Sequence, residues 1–199
     1  MLLNYPAHSM PYARIQLASA SPRRSLLLSQ MGVPHEMRPV DIDESRHASE
    51  PPREYVLRLA REKADAGAAA AGGLPVLAAD TTVALGNEIF GKPRDEADGI
   101  RMLTELSARR HDVLTAVALA CQGRMRTAIS ETHVTFRALT VAECRDYWAS
   151  GEPAGKAGAY AIQGLGAVFI AHVEGSYSGV MGLPLFETAA LLDAAGLRR

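Results

Sequence analysis

Ser19-Ala20-Ser21-Pro22-Arg23-Arg24 sets two hydroxyls and two guanidiniums within six residues, directly after the apolar run Ile15-Gln16-Leu17-Ala18. A serine followed by proline marks a helix start, with Ser21 as cap and Pro22 at the first helical position. Backbone N–H groups at such a start attract anions, and hydroxyls and guanidiniums add fixed donors. An ordinary cap carrying two solvated arginines has the same residues. A second apolar run, Val76-Leu77-Ala78, ends in Ala79-Asp80-Thr81. Ligands of open α/β proteins sit just past the carboxyl ends of strands. One cluster suits anionic oxygens and the other offers a lone carboxylate, a pairing that points to phosphate chemistry.

A carboxylate at the end of an apolar strand is solvated, paired or metal-bound, because burying it bare is very costly. Asp80 therefore either caps a turn or does chemistry. Glu44, in the acidic loop Asp41-Ile42-Asp43-Glu44, is a second oxygen donor for a hard cation or a solvated loop acid. Three lysines have unusual neighbours: Lys63 at the edge of an apolar helix face, Lys92 between Gly91 and Pro93, and Lys156 between Gly155 and Ala157. Gly and Pro neighbours shape the backbone and leave room for a large ligand, although a solvated lysine fits each position too. The familiar phosphate loops fail. Gly151-Glu152-Pro153-Ala154-Gly155-Lys156-Ala157 has three residues between its glycines where a Walker A loop has four, and Ala157 stands where the Ser or Thr belongs. No G-x-G-x-x-G opens a helix. The six histidines are scattered without ligand spacing, which argues against a zinc site or a histidine relay.

The elements that would carry these residues alternate. A strand over 14–18 leads into a helix stopped at Gly32. A short strand near 35–38 precedes the acidic loop, and Pro51-Pro52 opens a long helix to about Ala71 with the stripe Val56, Leu59, Ala60 and Ala64. A strand over 76–85 turns through Gly86-Asn87 into Glu88-Ile89-Phe90. After Gly91-Lys92-Pro93 comes a helix with Ile100, Leu103 and Leu106. Strands over 113–120 and 129–136 form a hairpin around Gln122-Gly123. Thr140-Val141-Ala142-Glu143 is a capping box for a helix ending near Ser150. A glycine-rich stretch from Gly155 to Gly166, a strand over 168–173 and a helix from Pro184 to Ala195 complete the pattern. Hairpins within an α/β order predict a mixed sheet.

The 199 residues fit one domain, and 48% apolar residues suffice for its core. A net charge of −1 argues against binding a nucleic-acid backbone. Cys121 and Cys144 are far apart and read as unpaired thiols of a reducing cytoplasm. No apolar segment approaches the roughly 20 residues that span a bilayer. Residues 1–13 lack the features of a signal peptide and read as a flexible tail before a single domain over 14–199.

The motifs agree in order as well as in kind. Ser-x-Ser-Pro-Arg-Arg, Arg61-Glu62-Lys63-Ala64, Ala79-Asp80-Thr81, Gly91-Lys92-Pro93, Lys156-Ala157-Gly158-Ala159-Tyr160-Ala161-Ile162-Gln163-Gly164 and Gly182-Leu183-Pro184 follow one another along the chain. From about residue 14 to 196 the sequence resembles the Maf family of nucleoside triphosphate pyrophosphatases. The resemblance implies a Maf/Ham1 (inosine triphosphate pyrophosphatase-like) α/β fold, a mixed twisted sheet with flanking helices and a cleft between two lobes. It implies hydrolysis between the α and β phosphates, with Asp80 as base and a divalent cation, Mg2+ or Mn2+, held by Asp80 and Glu44. Ser19, Ser21, Arg23, Arg24, Lys63, Lys92 and Lys156 would hold the substrate. Arg23, Thr81 and Gln163 are similar to the branch acting on dTTP and UTP. The alternatives are the 7-methyl-GTP branch and a non-catalytic nucleotide-binding regulator of septum formation. Two places depart from the family pattern: Gly155, and Ser178-Gly179. The implied partner is a nucleoside triphosphate, with no nucleic acid and no membrane, and the implied assembly is a homodimer.

Overall fold

The computed structural model of the chain describes residues 12–199, so the expected tail lies outside the described residues up to position 11. Tyr12 is buried and bridges Arg198, and the Ala13 N–H donates to the Leu197 carbonyl at 2.8 Å.

The order is β1 (Ile15–Leu17), α1 (Pro22–Gln30), β2 (His35–Met37), α2 (Pro52–Ala70), β3 (Val76–Leu85), β4 (Glu88–Phe90) and α3 (Glu96–Leu106). Then come β5 (Arg110–Cys121), β6 (Arg124–Phe136), α4 (Val141–Ala149), β7 (Ile170–Glu174), α5 (Tyr177–Met181) and α6 (Leu185–Ala194). Local chemistry accounts for most of the boundaries. Ser21 caps α1 with Pro22 at its start, and Thr140 and Glu143 close both bonds of the capping box on α4. The hairpin arms β5 and β6 run longer than their apolar centres, because twelve consecutive residue pairs stay in register from Arg110↔Thr135 to Cys121↔Arg124. The expected strand from Val168 starts at Ile170, because Leu165–Phe169 forms a 3-10 turn. The short helix α5 had no periodic signal to announce it.

The seven strands form one mixed sheet, six in the order β2-β1-β3-β5-β6-β7 and β4 paired to β3 off that path. β1 is parallel to β2 and β3, and the other pairs are antiparallel. β3 is apolar at both ends, Val76–Ala79 and Val83–Leu85, where both its faces are covered. Leu77 and Ala79 join Leu27, Leu28, Leu183 and Leu192 in one cluster, whereas Val76 and Ala78 join Val56, Ala60 and Ala64 of α2 in another. A third cluster, around Val83, Leu103, Val113, Phe136 and Tyr160, fills the far end of the sheet. The helix α2 lies very close to the strands. A Cβ on Gly67 would stand 2.8 Å from Val76 Cγ1 and 3.1 Å from Ala18 Cβ, so only glycine allows this approach.

The sheet is open at one place. β5 runs beside β3 from Val76 to Ala84, so β1 and β4 share the other edge. β1 leaves that edge after the bond from the Ala18 N–H to the Leu77 carbonyl, and β4 joins it only at Val83↔Phe90. Among the described residues, no strand lies beside Ala79–Thr82 on that edge. The gap lies past the carboxyl end of β1, where a parallel strand order places ligands.

The acidic loop that leads to α2 is pinned by a charged network. Arg58 grips Glu50 through Nε–Oε1 at 2.7 Å and Nη2–Oε2 at 2.9 Å, and donates to the Ser45 carbonyl at 3.0 Å. Tyr55 Oη donates to the Glu44 carbonyl at 3.0 Å. The Arg58 bond, assisted by the His47 N–H against the opposing effect of burial, pulls the Glu50 carboxyl down to about 2. A carboxyl depressed in the folded state adds stability only above its unfolded value, and that stability is lost as pH falls toward the folded one. Glu50→Gln is therefore expected to lose at least about 1 kcal/mol at pH 7. The gap from wild type in urea melts should close between pH 4.5 and about 2. A gap that stays constant over that range rules the network out as a charge effect.

Candidate active site

The gap in the sheet opens into a cleft of about 740 Å³, inside the roughly 300–1,000 Å³ range of small-molecule sites. Its lining includes Ser19, Ser21, Arg23, Arg24, Glu44, Lys63, Asp80, Thr81, Lys92 and Lys156. Ten residues spread from the start to the last third of the chain thus meet in one place. Five are cations and two are carboxylates, a local excess of three positive charges in a chain of net charge −1.

Asp80 stands on the open stretch of β3 and is 8% exposed. Its Oδ1 accepts from Lys63 Nζ at 2.6 Å, and the same ammonium lies 2.6 Å from Glu44 Oε1. Lys63 is on the buried stripe of α2, one turn before Gly67, so the tight helix–sheet packing delivers its ammonium to β3. Burial raises the Asp80 carboxyl above the usual carboxylate range, against the opposing charges of Lys63 and Arg24. Burial acts the same way on Glu44, but there the Lys63 bond and charge outweigh it and the carboxyl falls below its ordinary value. Lys92 is exposed and reaches Glu44 Oε2 at 3.8 Å.

On the opposite wall, Arg24 spans three segments. Its Nε donates to the Gly182 carbonyl at 2.8 Å, Nη1 to Ser19 Oγ at 3.2 Å, and Nη2 to Thr81 Oγ1 at 3.3 Å. Arg23 Nε donates to the Met181 carbonyl at 3.3 Å. Gly182 ends α5 at φ 114°, and a Cβ there would stand 3.5 Å from both Arg24 Nε and Thr81 Oγ1 in a conformation L side chains rarely adopt. Lys156 Nζ donates to the Glu152 carbonyl, and its ammonium is pushed below its usual value by burial, with the Arg23 charge adding to the effect.

Gln163 is the exception among the expected residues. It is exposed and is not part of the cleft wall. The reason is the anchoring of its loop. Glu152 accepts from the Leu165 and Gly166 N–H groups at 2.9 and 3.0 Å and from Tyr147 Oη at 2.7 Å, and Tyr147 Oη accepts from the Ala161 N–H. Ala161 and Ile162 turn inward and Gln163 outward. Sequence reasoning also missed Tyr55, Tyr160 and the carbonyls of Met181 and Gly182. Tyr160 lines the cleft with Val83, Val113 and Val180, and its hydroxyl is 3.0 Å from Nε2 of buried His111. Only Tyr160, inside a glycine-rich run, carried any signal as a ligand-facing aromatic. Of the two departures from the family pattern, Gly155 sits at φ 70° in the cleft wall, and Ser178 Oγ accepts from the Leu185 N–H at 3.0 Å.

A mixed sheet that opens around one buried acid, with cations on every side, defines an α/β protein built to hold a polyanion. The chain belongs to the Maf family: the family model, described as Maf-like protein, matches residues 14–195. A protein of Bordetella parapertussis named dTTP/UTP pyrophosphatase is 53% identical over 193 residues, covering 92% of this chain and 93% of its own. One of the same name from Myxococcus xanthus is 58% identical over 182 residues, covering 91% and 92%. Among solved structures, a Mycobacterium abscessus protein described as nucleoside-triphosphatase / dITP/XTP pyrophosphatase aligns over 92% of this chain and 96% of its own. At 17% identity and a TM-score of 0.45, that likeness is too loose to bear on the site.

The Asp80 carboxyl carbon, followed by NMR, is expected to titrate above the ordinary Asp value of about 4. Lys63→Met should move the midpoint higher still, because the lysine charge favours the ionised form. A midpoint at or below the ordinary value contradicts the dominance of burial at this site.

Proposed function

We propose that the chain is a nucleoside triphosphate pyrophosphatase that hydrolyses dTTP and UTP to the monophosphate and pyrophosphate. The observation that carries the chemistry is the cleft in which a buried acid faces five cations. The names of relatives at 53% and 58% identity support the choice of substrate. The 7-methyl-GTP and septum-regulator alternatives have no such support. The reading includes a single domain over 14–199 acting in the cytoplasm. The two cysteines are free and buried, and no helix among the described residues is long and apolar enough to cross a membrane.

The reaction joins a water oxygen to the α-phosphorus and breaks its bond to the bridging oxygen, whose electron pair leaves with pyrophosphate. Asp80 takes the water proton. The Lys63 bond occupies Oδ1 and leaves Oδ2 for that task, and a raised affinity for protons suits a base. Arg23, Arg24, Lys63, Lys92 and Lys156 stabilise the charge that grows on the leaving group, and Ser19 and Ser21 add donors beside the α1 terminus. Asp80 and Glu44 would hold a magnesium or manganese ion through their hard oxygens in place of the Lys63 ammonium, which lies 2.6 Å from each. Such an ion would supply charge neutralisation for the phosphates. The pyrimidine lies against Val83, Val113, Val180 and Tyr160. Gln163 would need to turn inward to reach it.

A panel of triphosphates incubated with magnesium, with products identified by chromatography, tests the reading. dTTP and UTP should exceed ATP and GTP by at least about 10-fold in kcat/KM, as expected when a site leaves the wrong base's polar groups unpaired. Equal rates overturn the pyrimidine choice, and release of inorganic phosphate in place of pyrophosphate overturns the reaction. Asp80→Asn should lose at least about 100-fold in turnover while still binding nucleotide. Retention of more than about a tenth of the rate removes Asp80 as the base.

A further inference from the structure

Thr115 lies on β5 directly opposite Thr81 and is fully buried. Its Oγ1 is 3.0 Å from Thr81 Oγ1 and 2.8 Å from the carbonyl oxygen of Gly179. Thr81 Oγ1 is in turn 3.3 Å from Arg24 Nη2. Each hydroxyl has a single proton, a carbonyl only accepts and a guanidinium only donates. One arrangement satisfies all three contacts. Arg24 donates to Thr81, Thr81 donates to Thr115, and Thr115 donates to Gly179. The proton of Thr81 is committed to Thr115, and one of its two lone pairs to Arg24. Thr81 therefore has no free donor for a base.

The far end of this chain of bonds matters as well. Gly179 belongs to α5, and the next carbonyls along, at Met181 and Gly182, receive Arg23 and Arg24. Thr115 thus ties the strand under the cleft to the segment that seats both arginines. We propose that Thr115 is a positioning residue, which orients Thr81 and the α5 carbonyls so that Arg23 and Arg24 meet the phosphates. Thr81 then acts on the substrate through Arg24 and not by donating to the base. The proposal rests on the phosphate-cleft reading given above.

Pyrophosphate binding to the intact protein, measured by calorimetry without turnover, separates the two. Thr115→Val keeps the shape and deletes the hydroxyl, and should weaken pyrophosphate binding about 10-fold, whereas Thr115→Ser keeps the relay and should stay within about twofold of wild type. Thr81→Val with Thr115→Val should bind more weakly than Thr81→Val alone, because the Gly179 tie is also lost, but by less than the product of the single effects, because the rest of the Thr115 effect runs through Thr81. Thermal melts establish that each variant is folded. A folded Thr115→Val protein that binds like wild type overturns the proposal, as does Thr115→Ser falling as far as Thr115→Val. A double variant weakened by the product of the single effects overturns it too. Wild-type protein that binds neither pyrophosphate nor dTTP overturns the phosphate-cleft reading itself.

Discussion

The site depends on one buried carboxylate having a cation beside it. Asp80 sits on a strand with both faces covered, where an ion without a partner is very costly. The Lys63 ammonium meets that cost, and it can do so only because α2 packs tightly on the sheet. Gly67, one turn further along the helix, permits the approach. The same ammonium holds Glu44, whose loop is fastened to α2 by Arg58 and Glu50. Packing, loop anchoring and the charge state of the acid are thus parts of one arrangement.

The second constraint is topological. A ten-residue strand with partners along all of both edges would leave no room for a ligand. β1 and β4 share one edge of β3 and leave a short stretch between them uncovered. Asp80, Thr81 and Thr82 on that stretch line a cleft whose walls come from α1, the acidic loop, the Gly91-Lys92 turn, the Lys156 loop and the end of α5. Five cations against two carboxylates in the cleft of a near-neutral protein favour polyanions locally.

Much of this was legible in advance. The serine–proline start of α1, the stripe of α2, the capping box of α4 and the strand–turn–strand from Val76 to Phe90 are local patterns, readable within a few residues. α5 escaped because five residues rich in glycine and serine have no helical period. The strand after Phe169 was placed too early, because the 3-10 turn before it is held by Glu152, thirteen and fourteen residues back, and not by its own composition.

The sequence by itself determined the chemical inventory: hydroxyls and arginines at a helix start, an acid at a strand end, lysines among glycines and prolines, and the elements carrying them. It also placed Lys63 beside the buried face of α2. Only the tertiary structure decided which of these groups meet. Arg24 finds its carbonyl 158 residues away, Lys63 bridges two acids from different segments, and Thr115 reaches Gly179 across the sheet. Gln163, although part of the family motif, turns outward because its loop is tied to α4. Element type is set by short-range periodicity and capping, whereas the direction of a side chain in a loop depends on distant anchors that no local pattern contains.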